Sequence, residues 1–371
     1  MLPTSSLAKT CTAWRSGIPW LLLVLGVVLP LAGQEKPTFS SDVKVVNVFA
    51  TVHDKHGQIV NDLTKDDFKL QQDGEPQTIH YFARDTDLPL TLGLLVDTSM
   101  SQRRLIDQER TASYAFLNEL MRVDKDKAFV IHFDREIELL QDLTNDHQKL
   151  QTALDKLNTP QFDNSGDGSQ SGGRAGGGGR QHGGGTTLYD AVFLASDELM
   201  QKQQGRKAVI VLSDGVDMGS KVSLDRAIET AQKSNTLVYS VLYADPEAYE
   251  HQGYGHQGGG MGRRGGWPGG PGYPGGGYPG GGGTPRQEPR PDGKKVLQRL
   301  SNETGGRFFE VSKKEPVDKI YAQIAEELRN QYNLGYTPDK VVTGPGYHKI
   351  TVTTTKKDLT VQARQGYYAE Q

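Results

Sequence analysis

Residues Leu90-Thr91-Leu92-Gly93-Leu94-Leu95-Val96-Asp97-Thr98-Ser99-Met100-Ser101 decide the fold. An apolar run with no alternation, Leu90–Val96, passes without a break into an acid and three hydroxyl residues. Such a run fits a strand covered on both faces, the environment of a parallel sheet. The same signature returns at Ala128–Phe133, Ala208–Leu212 and Leu237–Tyr243. Between these runs the apolar residues take helical spacing. Leu105, Ile106, Ala112, Ala115, Phe116 and Leu120 mark a helix over Leu105–Met121, and further helices fit Leu150–Leu157, Leu188–Met200 and Leu224–Lys233. A helix near Lys295–Asn302, a strand at Arg307–Val311 and a helix over Val317–Tyr332 close the series. Helices alternating with buried strands predict an α/β fold, a doubly wound, mostly parallel sheet with helices on both faces.

Outward from this region the rhythm turns to β. On the N-terminal side, Val43–Val52 is β-branched and apolar, and Asp54-Lys55-His56-Gly57 is a turn. Phe68–Gln72 alternates, Asp73-Gly74 is a hairpin signal, and Gln77–Phe82 alternates again. On the C-terminal side, Asn333–Tyr336, His348–Thr355 and Leu359–Ala363 read as strands. A β unit of this size is marginal alone. The two halves are expected to pack as one small sandwich, with the α/β region inserted between them; separate β extensions at each end are the alternative. The expected organisation is a leader over 1–33, an N-terminal β unit over 38–86, the α/β domain over 88–332 and a C-terminal β segment over 333–371.

Composition narrows the function classes. Of 45 glycines, 29 fall in Asp163–Gly185 and His251–Gly283, so the chain is an ordinary globular protein with two Gly-rich insertions, at 163–185 and 251–291. Neither stretch has the three-residue glycine period of collagen. The net charge of −3 disfavours nucleic acid as a partner. Cys11 is the single cysteine, which excludes an intramolecular disulfide, a Cys-based zinc site, and a Cys nucleophile beyond the leader. Lys9 and Arg15 precede the apolar run Ile18–Ala32, which ends in small residues before Gln34. This is the pattern of a secretory signal cleaved near Gly33–Gln34. The alternative, an uncleaved anchor, needs about 20 apolar residues. The expected location is periplasmic, cell-surface or secreted, with no transmembrane span in the mature chain.

Three pieces carry candidate chemistry. Asp97-Thr98-Ser99-Met100-Ser101 follows one strand, Thr186-Thr187 opens a helix, and Ser213-Asp214-Gly215 follows another strand. Open α/β sheets place ligand sites at such strand ends. Hard divalent cations take oxygen ligands in near-octahedral geometry. Ser99 and Ser101 are spaced to turn both hydroxyls toward one ion, Thr186 offers a third, and Asp97 and Asp214 supply negative charge directly or through water. No His or Cys is offered, which argues against zinc or copper. Neutral hydroxyl ligands leave an ion electron-poor, so a vacant position would favour a carboxylate from outside.

Taken in order, these pieces resemble the metal-ion-dependent adhesion site (MIDAS) of von Willebrand factor A domains, over roughly Leu88–Tyr332. The whole mature chain also resembles the bacterial von Willebrand A-related family best known from acidobacteria. Ala50-Thr51-Val52-His53-Asp54, Asp67-Phe68, Thr186-Thr187-Leu188-Tyr189-Asp190-Ala191, Gly335-Tyr336 and Ala363-Arg364-Gln365-Gly366-Tyr367-Tyr368 carry that likeness. The resemblance implies a Rossmann-like sheet and a Mg²⁺ or Mn²⁺ site that binds a protein ligand presenting Asp or Glu. It implies Ser99, Ser101 and Thr186 as direct hydroxyl ligands, with Thr187 as the substitute if the loop register slips by one. It implies Asp97 and Asp214 as the acidic residues. By position in the chain, Asp190 reads as a first-turn helix acid and Asp217 as a loop residue. In related domains a shift of the last helix couples to affinity at the metal.

The function expected is therefore a non-enzymatic, exported, metal-dependent binding or adhesion module. The alternative is a periplasmic or surface assembly factor using the same fold without metal. A hydrolase lacks a G-x-S-x-G elbow after any strand. The Gly-rich stretches are either flexible insertions or contact segments using Tyr254, Trp267, Tyr273 and Tyr278.

Overall fold

Leu90–Asp97 is the strand β5, and every residue in it is buried. The computed structural model of the protein describes residues 45–84, 88–158, 185–243, 292–338 and 346–369. The expected leader, residues 163–184 of the first Gly-rich insertion and the whole of the second lie outside the described residues.

β5 lies inside a six-stranded sheet with β6 (Lys127–Phe133), β7 (Ile137–Thr144), β8 (Arg206–Ser213), β9 (Leu237–Leu242) and β10 (Phe308–Glu310). The order is β10-β9-β8-β5-β6-β7, parallel throughout except for the antiparallel pair of β6 and β7. Period-2 alternation splits each strand between two cores. Leu90, Leu92, Leu94 and Val96 face α1 (Ile106–Leu120), α2 (His147–Leu154) and α6 (Val317–Arg329). Leu95 faces α3 (Leu188–Leu194), α4 (Leu224–Lys233) and α5 (Gly293–Thr304). Position 93 faces that second side too, and only glycine fits, since a Cβ there would sit 2.4 Å from the Phe129 ring. The expected doubly wound, mostly parallel α/β sheet is the observed one.

Three local expectations are corrected. β7 was not expected; it is a polar, half-buried edge strand, so it lacks the apolar run that marked the others. Asp73 (φ 52°) and Gly74 (φ 87°) form the hairpin turn, with the consecutive positive φ angles that primed turns need. Its second strand, however, is β3 (Glu75–Gln77), and β4 (Ile79–Arg84) crosses to another sheet. The last helix stops at Arg329, and Tyr332 already belongs to β11 (Tyr332–Tyr336).

The flanking β unit is built from both ends of the chain. β1 (Val46–Asp54) pairs with β11 and with β13 (Leu359–Ala363), giving the sheet β13-β1-β11-β4. β2 (Phe68–Gln72) pairs with β12 (Gly346–Thr354), giving β14-β12-β2-β3, in which β14 is Gly366–Ala369. Val48, Val52, Phe68, Leu70, Tyr332, Leu334 and Ile350 from the two sheets share one core.

Candidate metal centre

β5 feeds β6 on one side, while β8 returns on its other side, so the direction of winding reverses at β5. This reversal is the position at which open α/β sheets bind ligands. Asp97 ends β5 there and is fully buried. Its Oδ1 accepts the Ser99 backbone N–H at 2.9 Å, and its Oδ2 accepts the Ser213 hydroxyl at 2.6 Å. Burial, then the negative charge of Asp214, pushes the Asp97 carboxyl up to about 7, against the lowering effect of these hydrogen bonds. The Asx turn closed on Ser99 starts a single 3-10 turn, Met100–Gln102, which sets Ser99 Oγ and Ser101 Oγ 3.0 Å apart. Thr98 points elsewhere: its Oγ1 is 3.0 Å from His132 Nδ1.

Hydrogen bonds join the surrounding loops into a closed ring. From Asp97 the ring passes to Ser213 and on to Asp214, whose Oδ1 accepts the Val216 N–H at 2.9 Å. In the same loop the N–H groups of Met218 and Gly219 both donate to the Thr186 carbonyl at 3.0 Å. Thr187 donates its N–H (2.8 Å) and its hydroxyl (3.0 Å) to the Asp134 carbonyl, after the end of β6. Thr98 N–H closes the circuit onto the Phe133 carbonyl at 3.0 Å. Ser99, Ser101, Thr186, Asp97 and Asp214 thus all belong to one ring of loops at the carboxyl ends of the strands. The two threonines differ within it. Thr187 spends its hydroxyl on Asp134, whereas Thr186 Oγ1 has no hydrogen-bond partner among the described residues.

Gly215 makes the Asp214 loop possible. Its φ is +77°, and a Cβ would lie 2.2 Å from the Gly293 carbonyl at the start of α5. Asp190 accepts the N–H groups of Lys221 and Val222, and Asp217 accepts from Tyr189 N–H and the Ser220 hydroxyl. Both acids organise the loops around the ring.

Sequence reasoning missed the groups behind Asp97. Ser213 was noted beside Asp214 but not as the donor to Asp97. Glu109 on α1 is fully buried, and neither carboxylate oxygen has a hydrogen-bond partner among the described residues. Burial, then the charge of Asp97, pushes the Glu109 carboxyl well above its ordinary range. The Gln102 side-chain amide and the Tyr243 hydroxyl are likewise buried without partners among the described residues. Spacing was the available signal for Glu109, which stands four residues after Leu105 and three before Ala112, on the apolar stripe.

Residues 92–216 match the family model described as von Willebrand factor type A domain. This segment is a von Willebrand factor type A domain. Solved structures resembling the chain include proximal thread matrix protein 1 from the mussel byssus, in a form with a zinc-occupied MIDAS motif. The identity is 13% and the TM-score 0.43, over 70% of this chain and 50% of that one. A second is the BatB protein from Bacteroides thetaiotaomicron, at 16% identity and TM-score 0.39, over 65% of this chain and 97% of that one. A third is the vWF domain of the type V pili tip protein Mfa5 from Porphyromonas gingivalis, at 17% identity and TM-score 0.27, over 35% and 39%. The chain spans half the length of the mussel protein. No curated protein matches the sequence. In the A domain of this chain, no helix among the described residues is long and apolar enough to cross a membrane.

Proposed function

We propose that this protein is an exported, metal-dependent protein-binding module. Ser99, Ser101 and Thr186 would hold a divalent cation, Mg²⁺ or Mn²⁺, with Asp97 and Asp214 supplying charge directly or through water. When bound, the ion supplies a Lewis-acidic position that a partner's aspartate or glutamate completes. The donor set fits a hard cation: three hydroxyls and two carboxylates, all oxygen. The observation that carries the reading is the ring itself. It gathers these five residues at the winding reversal and leaves the Thr186 hydroxyl without a hydrogen-bond partner among the described residues.

The chain's own residues prepare this site. Ser213 and the Ser99 N–H fix the Asp97 carboxylate in one orientation. Thr187 anchors the start of α3 so that Thr186 stays at the ring. Preorganised donors lose less entropy on binding than mobile ones.

A hydrolytic reading meets an obstacle in the same place. Thr98, His132 and Glu138 form a chain of contacts at 3.0 and 3.2 Å. Thr98 is fully buried, so no substrate carbonyl reaches its hydroxyl.

The test is capture of surface or envelope proteins on the immobilised protein, in Mg²⁺ and in chelator, beside a Ser99→Ala/Ser101→Ala variant. The proposal predicts capture that needs the metal and is lost in the variant. Capture indifferent to chelator would favour an assembly factor that uses the fold without metal.

A further inference from the structure

Four methionines lie among the described residues, and they divide sharply. Met121 and Met200 are core residues, 5% and 0% exposed. Met100 and Met218 are 43% and 57% exposed, and both stand on the ring. Met100 sits between Ser99 and Ser101. Met218 donates its backbone N–H to the Thr186 carbonyl at 3.0 Å. The two thioethers therefore come from the two loops that bring the candidate hydroxyl ligands together.

The fold does not require an apolar side chain at either position. Met100 contributes its carbonyl to the turn, and Met218 contributes its N–H. Any residue but proline would provide these groups. The exposed Arg103 follows Met100 by three positions, and the exposed Lys221 follows Met218 by three. Asp217, the acid beside Met218, is taken up by Ser220 and the Tyr189 N–H. The ring thus carries oxygen donors, two exposed apolar side chains on its loops, and an exposed cationic residue three positions along the chain from each.

We propose that Met100 and Met218 form an apolar rim that receives the side chains flanking the partner's acidic residue. The partner's contact segment is then an aspartate or glutamate with a bulky apolar residue on each side. This rests on the reading of the ring as a metal site. The physical gain is twofold. Methionine is unbranched and adapts its shape to varied apolar contacts. Apolar cover around a charged contact excludes water, and a carboxylate–cation attraction strengthens as the local dielectric falls. Arg103 and Lys221 favour an acidic partner segment over a basic one.

The test uses two short peptides, one with a central aspartate flanked by leucines and one with the same aspartate flanked by serines. Binding is read in Mg²⁺ by NMR of the purified protein carrying ¹³C-methyl methionine, with Met121 and Met200 as internal controls. The leucine-flanked peptide should bind about tenfold more tightly, the gain expected from partial burial of two leucines. It should move the Met100 and Met218 signals only. A Met100→Ser/Met218→Ser variant, altered at two exposed positions, should bind Mg²⁺ as before and lose the preference. Equal binding of the two peptides, a preference that survives the double substitution, or no peptide binding by the metal-loaded protein overturns the rim. A protein silent to both Mg²⁺ and Mn²⁺ in calorimetry, before any peptide is added, overturns the metal reading and the rim with it.

Discussion

Asp97 is a buried acid that forms no ion pair among the described residues, and its folded carboxyl titrates near 7 against an ordinary 3.8. The folded chain therefore holds this proton more tightly than the unfolded chain. Its contribution to stability is fully present at acid pH and is lost as pH rises from about 4 to about 7, on the order of 3–4 kcal/mol. Urea denaturation in chelator should show a fall over this window, and Asp97→Asn should make it shallower without abolishing it, because the buried Glu109 carboxyl, also raised, contributes a fall that starts at its own unfolded pKa. Mg²⁺ should stabilise the protein more at about pH 8 than at about pH 5, since a cation favours the ionised carboxylate. The two threonines separate in the same way. Thr187→Ala should cost about 1 kcal/mol of stability through the lost Asp134 hydrogen bond and retain most metal affinity. Thr186→Ala should leave denaturation midpoints nearly unchanged and weaken metal binding at least tenfold. The reverse assignment would show that Thr187 is the ligand. The five candidate residues were legible because each follows a strand end or opens a helix. Ser213 and Glu109 were not singled out, because their roles depend on which groups face Asp97 across the sheet and from α1.

At the scale of elements, legibility followed burial. β5, β8 and β9, buried throughout, announced themselves as apolar runs. β7 did not, because an edge strand is held by one neighbour and carries a polar, half-exposed face. β4 was legible in part, through the alternation of Gln77–Phe82, but its sheet was not. β2 and its turn were read correctly, but nothing local records that the chain leaves the hairpin after Gln77 to enter the other sheet. The loop after β8 is the element most sensitive to substitution. Gly215→Ala combines a left-handed φ with a clash against the Gly293 carbonyl, and should cost about 3 kcal/mol or more while disturbing Asp214. Gly74→Ala shares the positive φ but meets nothing within 4 Å, and should cost only about 1 kcal/mol. Thermal midpoints of the two variants check this; equal losses would mean that the contact with α5 is unimportant.

Over the described residues, the first strands build the β unit, the α/β domain follows, and the last strands return to the β unit. α6 runs into β11 almost at once, and β11 lies between β1 and β4. The joint is polar as well as apolar. Glu327, 1% exposed on α6, accepts from Arg307 Nη1 at 2.7 Å and lies 3.3 Å from His53 Nε2 on β1. Arg364 donates to the Asn235 side chain and to the Asn47 carbonyl, tying the C-terminal strands to both parts. The two parts should therefore unfold in one transition by near- and far-ultraviolet circular dichroism. Glu327→Ala should lower stability by about 1–3 kcal/mol, a moderate loss because Arg307 keeps access to water. Two separated transitions in the unsubstituted protein would show the parts to be independent. That β segments flank the α/β region on both sides was legible as strand content, but their pairing was not, because register between segments some 280 residues apart leaves no local signal.

The ring at the end of β5 is the centre of the molecule's proposed function, and calorimetric titration of Mg²⁺ and Mn²⁺ tests it most directly, on the protein and on Asp97→Ala. Saturable binding of one ion per chain, abolished in the variant while its circular dichroism is retained, is the predicted result. Absence of saturable binding by the folded protein, or equal binding by the variant, would contradict it.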